Sequence, residues 1–405
     1  MRHGQQTRLQ MDPIPGCELV SVCLALSGPE ACEGPGTLGF SGLWMETVRA
    51  GAGVLSEAGV SQQFDEWGSG LNAFCQSTVC GLKYSCRPEM LEDSLRLLAK
   101  LFPGAKAPLS IFERERGSRE ALIKEERDDP ASDGLRRMRE RILAGTPLAS
   151  SPLGTEEDLS LATPVKLKHF GESLWEKGTV ALGVSGDFSP TVLGPLALAL
   201  FPLEQAPDPR QSQQTPGSRE DRFEEVVRHA REQAVVVHGF SSCGYQDDDF
   251  QYATLALACL NGLSGPLFEE IRERHGLAYY CSARMVSGRD RGLIAFVSGC
   301  EESKSKFLLE RLQEIFLRLG VGGFSQDEFQ CGVAQIRSGL RMNRQRTSWR
   351  SQRIAIRSIQ ELPVDLGERE EDFLATVRPE ELSERMSGIL CPGSGSSLFL
   401  LPESP

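Results

Sequence analysis

The chain has 405 residues and a formal net charge of −12, with 40% hydrophobic and 25% charged residues. That is the profile of a globular protein long enough for two domains of roughly 200 residues each. The acidic balance excludes general nucleic-acid binding, and no apolar run approaches the roughly 20 residues of a membrane span. The opening "MRHGQQTRLQMDP" has no apolar segment of the secretory kind, so the expected location is cytoplasmic. Twelve cysteines with no C-x-x-C and no zinc-ribbon spacing are expected to be free thiols, mostly buried.

In chain order, "LVSVCLALSG" (19–28) predicts an apolar strand, followed by a helix of small residues around 39–50. An extended stretch, "GLNAFCQSTVCGLKYSC" (70–86), comes next. Leu91, Leu95, Leu98 and Phe102 mark one face of a helix, and 112–127 reads as a charged helix. "TVALGVSGDF" (179–188) predicts a strand that ends in a Ser-Pro helix start at 189–190. The polar stretch "EQAPDPRQSQQTPGSRED" (204–221) reads as a linker between residues 1–203 and 222–405.

Beyond it the scheme repeats. "AVVVHGF" (234–240) is a strand and 250–262 a helix. "LAYYCSARMV" and "GLIAFVSG" form a hairpin around "SGRDRG", Leu308, Leu312, Ile315 and Leu319 mark a helix face, and "SSLFLL" (396–401) closes the half. Strands and helices mixed within each half predict an α+β fold built twice.

Two motifs carry functional weight. Residues Gly34 to Gly39 spell G-x-G-x-x-G, but Pro35 stands between the glycines and "PEACE" separates them from the strand, so a dinucleotide site is rejected. The segment "SGPLFEEIRERHGLAYY" (264–280) carries helix punctuation: Ser264 to cap, Pro266 in the first turn, Glu269 and Glu270 early, Arg272, Arg274 and His275 late, and Gly276 as a left-handed stop. Arg272 in the last turn and Tyr279 at the start of the next strand are expected to converge near the helix C-terminus.

The block "LNGLSGPLFEEIRERHGLAYYCSA" (260–283) resembles a signature of the two-domain inverted-zinc peptidases of the insulinase, pitrilysin and mitochondrial processing peptidase type. "GSGLNAFCQSTV" (68–79), "RERGSREALIKEERDDP" (114–130), "LGTEEDLSLATPVKLKHF" (153–170) and "LGVSGDFSP" (182–190) resemble other segments of that family, in order and at suitable spacing. The resemblance covers nearly the whole chain. It implies two similar α+β sandwich halves forming a clam-shell around a cavity.

Active members of the family carry H-x-x-E-H on the helix after the first strand and a further Glu downstream. The two His and the distal Glu hold zinc, and the Glu between them activates water. The resemblance puts Gly42, Met45 and Glu46 at the His, Glu and His positions, and Leu122 at the distal Glu. Glycine and leucine offer no ligand atom, and Met45 cannot take a proton. No change of register brings in a histidine, since the nearest are His3 and His169. The chain is therefore expected to hold no metal and to be inactive alone, with zinc supplied by a partner.

Arg272 and Tyr279 match the pair that active members use to hold a substrate carbonyl, a role suited to a developing oxyanion. The plainer alternative pairs Arg272 with Glu269 and packs Tyr279 in the core. Asn72, Ala73 and Phe74 match a strand on which the family lays extended substrate; without a metal beside it, a structural role is the preferred reading. The stretch 335–359 holds seven arginines and no acid, as a solvated helix face or as a contact with acidic groups.

The resemblance implies the non-catalytic, substrate-binding subunit of a heterodimeric zinc peptidase acting on unfolded peptides, with a homologous H-x-x-E-H subunit as partner. The competing readings are a structural subunit, as in the family's respiratory-chain core proteins, and a self-sufficient peptidase that uses other residues.

Overall fold

The computed structural model describes residues 8–51, 55–102, 107–201, 203, 222–262, 264–391 and 393–403. The 204–221 stretch read as a linker, and His3, lie outside the described residues.

The strands form two five-stranded sheets. The first contains β1 (Leu9–Pro13), β2 (Val20–Ser27), β3 (Asn72–Cys75), β4 (Val79–Cys86) and β5 (Val180–Gly186), in the order β1-β5-β2-β4-β3. The second contains β6 (Glu224–His229), β7 (Ala234–Cys243), β8 (Ala278–Ser287), β9 (Arg291–Cys300) and β10 (Ser396–Pro402), in the order β6-β10-β7-β9-β8. Adding five to each strand number of the first order gives the second. In each sheet one outer pair is parallel, β1 with β5 and β6 with β10, and the remaining pairs are antiparallel. The duplication expected from element order is thus a duplication of topology.

Central strands such as β2 and β5 are apolar along nearly their whole length because both faces of the sheet are covered. In the first sheet Val22, Leu24 and Leu26 face a core built with Trp44, Leu95, Leu98, Leu174 and Leu193 from four helices. Cys23 and Ala25 point the other way, onto Ala355, Ile356 and Ile359 of the helix Thr347–Ile359. In the second sheet Val236, Phe240, Ile294 and Phe296 face Leu255, Leu308 and Phe316. Val235, Val237, Ala295 and Leu400 face Ala131 and Met138 of the helix Pro130–Ile142.

These helices make the chain path less linear than two consecutive halves. Among the described residues, one compact unit is drawn from 8–123, 151–203 and 342–366, and the other from 124–150, 222–341 and 367–403. Each unit therefore draws on both sides of the 204–221 stretch, and each sheet has one face covered by a helix from the opposite half of the sequence. Close approach is allowed by absent side chains: a Cβ on Gly183 of β5 would strike the Ser351 carbonyl oxygen and crowd Ile354 and Ala355.

The arginine-rich stretch is consumed by this arrangement. Arg350 binds Asp12 of β1, Arg353 and Arg357 both reach Asp365, Arg344 donates to the Leu366 carbonyl, and Arg337 lies 3.5 Å from Glu371. Neither a free solvated face nor an available acid-binding wall describes these five side chains. All twelve cysteines are free thiols; Cys331 and Cys391 are exposed, and the others are buried or half-buried. No helix among the described residues is long and apolar enough to cross a membrane.

Candidate functional site

The helix expected around 39–50 spans Phe40–Arg49 and follows Gly39, whose φ of 88° only glycine adopts without strain. Two of its leading backbone donors are satisfied from outside the helix. The Glu33 carboxylate accepts from the N–H of Gly39 at 2.8 Å and of Ser41 at 2.7 Å. Burial pushes the Glu33 carboxyl above its usual range, against those two bonds and the nearby charge of Arg119.

The family implies a zinc site on this helix, and the residues present do not fit it. Gly42 is buried and has no side chain, and the place where a side chain would begin is filled by the guanidinium of Arg119, from the helix Leu109–Asp128. Met45 is wholly buried in the core. Glu46 bonds Arg49 at 2.6 Å, and Arg49 also reaches Glu115 at 3.6 Å. Leu122 is 47% exposed and carries no donor atom. Among the described residues no three His, Cys, Asp or Glu side chains are grouped to hold a metal ion.

Arg119 is the residue that sequence reasoning missed. It is only 8% exposed, donates to the Pro152 carbonyl at 3.1 Å, and has a buried Nε–H with no hydrogen-bond partner among the described residues. It also lowers the Cys75 thiol, although burial dominates and pushes that thiol up to about 12. The available signal was its spacing: Arg119 and Leu122 stand three apart on one helix, so they share a face.

β3 is the edge strand beside this helix, paired Asn72 to Lys83, Ala73 to Leu82 and Phe74 to Gly81. Ala73 packs into the core beneath the Phe40–Arg49 helix, and Phe74 packs on the other face with Ile356 and Ile359. Asn72 is exposed and donates to the Gly70 carbonyl.

In the second unit, Leu267–Arg274 is wound as a π-helix, a rare widened turn that is frequent at functional sites. Gly276, at φ 53°, supplies the expected left-handed stop. Ser264 does not cap: its hydroxyl donates to the Cys331 sulfur. Arg274, and not Arg272, takes both Glu269 and Glu270, each at 2.6 Å. Arg272 is exposed with its guanidinium carbon 5.2 Å from the Phe268 ring centroid, and among the described residues it has no acidic partner. Tyr279 is 65% exposed because β8 bulges there: Ala278 pairs with Cys300 and Tyr280 with Gly299, which leaves Tyr279 unpaired. The plainer alternative, an Arg272–Glu269 pair with Tyr279 in the core, is not what the structure contains.

Residues 162–336, which include this second segment, match the family described as the peptidase M16 inactive domain. Over that segment the chain resembles the M16 peptidase family. The chain is 23% identical over 338 residues to an uncharacterized zinc protease of Rickettsia felis, covering 82% of this chain and 77% of that one. It is 21% identical to a protein of Helicobacter pylori named non-peptidase homolog YmxG, over 74% and 70% of the two chains. Its fold matches the crystal structure of a peptidase M16 inactive domain from Pseudomonas fluorescens with a TM-score of 0.85 at 15% identity, covering 98% of this chain and 96% of that one.

Proposed function

We propose that this chain is the non-catalytic, substrate-binding subunit of a heterodimeric zinc peptidase. A homologous subunit carrying H-x-x-E-H supplies the zinc and the base, and this chain presents Arg272 and Tyr279 to an unfolded peptide. The observation that carries the reading is the contrast between the two units. The first offers no ligand atom at Gly42 and Leu122 and no base at Met45, positions the resemblance aligns with the active site, while the second has Arg272 and Tyr279 exposed, one without an acidic partner among the described residues and the other on a bulge. A guanidinium and a phenol are both donors suited to a carbonyl oxygen that gains negative charge. The open edge of β3 at Asn72, Ala73 and Phe74 offers backbone groups to an extended peptide.

A purely structural subunit is the second reading, supported by the relative named as a non-peptidase homolog. Zinc content and peptidase activity of the chain alone, of the homologous H-x-x-E-H subunit alone, and of the two co-expressed separate these readings. The proposal expects a zinc-free, inert chain that raises its partner's turnover, with the gain lost in Arg272→Ala and Tyr279→Phe. Partner activity indifferent to both substitutions leaves the structural reading. Turnover by the isolated chain overturns both.

A further inference from the structure

We infer that Arg119 closes the degenerate metal site, its guanidinium standing where the family's ligand frame requires an open space. The site has then been filled and locked, and the ligands have not merely been deleted. The inference rests on the alignment of Gly42, Glu46 and Leu122 with the ligand positions, but not on the existence of a partner subunit.

Three observations converge. A Cβ on Gly42 falls inside the Arg119 guanidinium, with Nη1, Nη2 and Cζ all in conflict, so a side chain at the first ligand position requires Arg119 to leave the place where it is held. Arg119 lies one turn before Leu122 on the same helix, so the filler comes from the face that would carry the distal ligand. The guanidinium is also held: it is nine-tenths buried, donates to the Pro152 carbonyl, and lies within the field of the buried Glu33 carboxylate. Glu33 in turn binds the first backbone donors of the Phe40–Arg49 helix. The cation therefore links the helix Leu109–Asp128 to the 151–154 segment through the Pro152 carbonyl, against the backbone of Gly42.

The chemistry makes the replacement hard to reverse in single steps. A histidine placed at position 42 alone meets a buried cation that disfavours a divalent ion and leaves no room for an imidazole. Removal of Arg119 alone leaves Glu33 buried without its nearby positive charge and opens a void. Glycine at 42 and arginine at 119 are thus coupled, each tolerated because of the other.

Two measurements on the full chain test this. The first is a thermal-melt cycle of Gly42→Ala, Arg119→Ala and the double variant. A Tm loss on Gly42→Ala that largely disappears in the Arg119→Ala background is expected. A Gly42→Ala chain as stable as the parent, or losses that simply add, overturns the inference, because the guanidinium then yields freely. The second is zinc content after dialysis against zinc for the Gly42→His, Glu46→His, Leu122→Glu chain, with and without Arg119→Ala. About one zinc per chain only when Arg119 is removed is expected. Zinc in both chains, or in neither, overturns it. Neither readout involves a partner or peptidase activity, so failure here is distinct from failure of the proposed function.

Discussion

Arg350 grips Asp12 across 338 residues of sequence, its Nε and Nη2 donating to the two carboxylate oxygens at 2.6 and 2.7 Å. The pair fastens the helix Thr347–Ile359, from the second half of the chain, to the edge strand β1 of the first sheet. Ser185 on the neighbouring β5 adds a third bond to the same carboxylate at 2.6 Å. Bidentate geometry and partial burial make this an ion pair of the kind that contributes measurably to stability.

Burial alone would raise the Asp12 carboxyl, but the bonds from Arg350 and Ser185 outweigh it and hold the group below its usual 3.8. The charged form is the bonded form, so its contribution is complete above pH 3.8 and is lost as the pH falls through the depressed native value. Arg350→Ala should cost roughly 2 kcal/mol at pH 7, read as a lower urea midpoint with faster amide exchange along 347–359. If Asp12→Asn and Arg350→Ala act additively in a double-mutant cycle, the two side chains are not coupled and the account of this contact fails.

His238 predicts the opposite chemistry with the same direction in pH. The ring is wholly buried between Phe240 and Phe316, Nδ1 shares a hydrogen with Ser397 at 2.9 Å, and Nε2 has no hydrogen-bond partner among the described residues. Burial, and then the charge of Arg222, lower it to about 4 from the usual 6.5. The folded state therefore binds the proton less well than the unfolded chain. Stability is unaffected above pH 6.5 and falls between pH 6.5 and about 4, by an amount of order 3 kcal/mol. Urea midpoints measured from pH 7 to pH 4 should fall less steeply in His238→Phe than in the parent; equal slopes would exclude this histidine as the cause.

Gly183 allows the exchanged helix to lie directly on β5. Gly183→Ala drives a methyl into the Ser351 carbonyl and against Ile354 and Ala355, in a contact with little freedom to relax. The expected cost is about 1–3 kcal/mol, seen in equilibrium unfolding with an unchanged m-value. A neutral substitution would show that the helix rides higher on the sheet than the structure places it.

Arg272 and Tyr279 should behave differently from all of these. Both are exposed, so Arg272→Ala and Tyr279→Phe are expected to change unfolding free energy by less than roughly 0.5 kcal/mol while removing the stimulation of a partner's turnover. A large stability loss in either variant would mark the residue as structural and withdraw it from the site.

Much of the fold was legible because burial writes a period into the chain. The apolar runs of β2, β5, β7 and β10, the Leu91–Phe102 and Leu308–Leu319 faces, and the Ser189-Pro190 helix start all lie where their patterns place them. β1 and β6 were not anticipated. Both are short outer strands whose alternating exposure carries little apolar signal, and they are recruited by parallel pairing with β5 and β10.

That Gly42 and Leu122 bring no ligand atom was likewise legible in the sequence alone, since no fold gives glycine or leucine one. So was the left-handed stop at Gly276, because the local backbone needs a residue free to take positive φ. What only the tertiary structure decided were relations between distant segments: helices 130–142 and 347–359 each closing the sheet of the opposite half, the bulge that turns Tyr279 outward, and Arg119 seated against Gly42. The physical reason is common to these. Periodicity records which face of an element is buried, but not which element buries it, and an arginine in a charged helix looks solvated until the chain brings it beside a missing side chain.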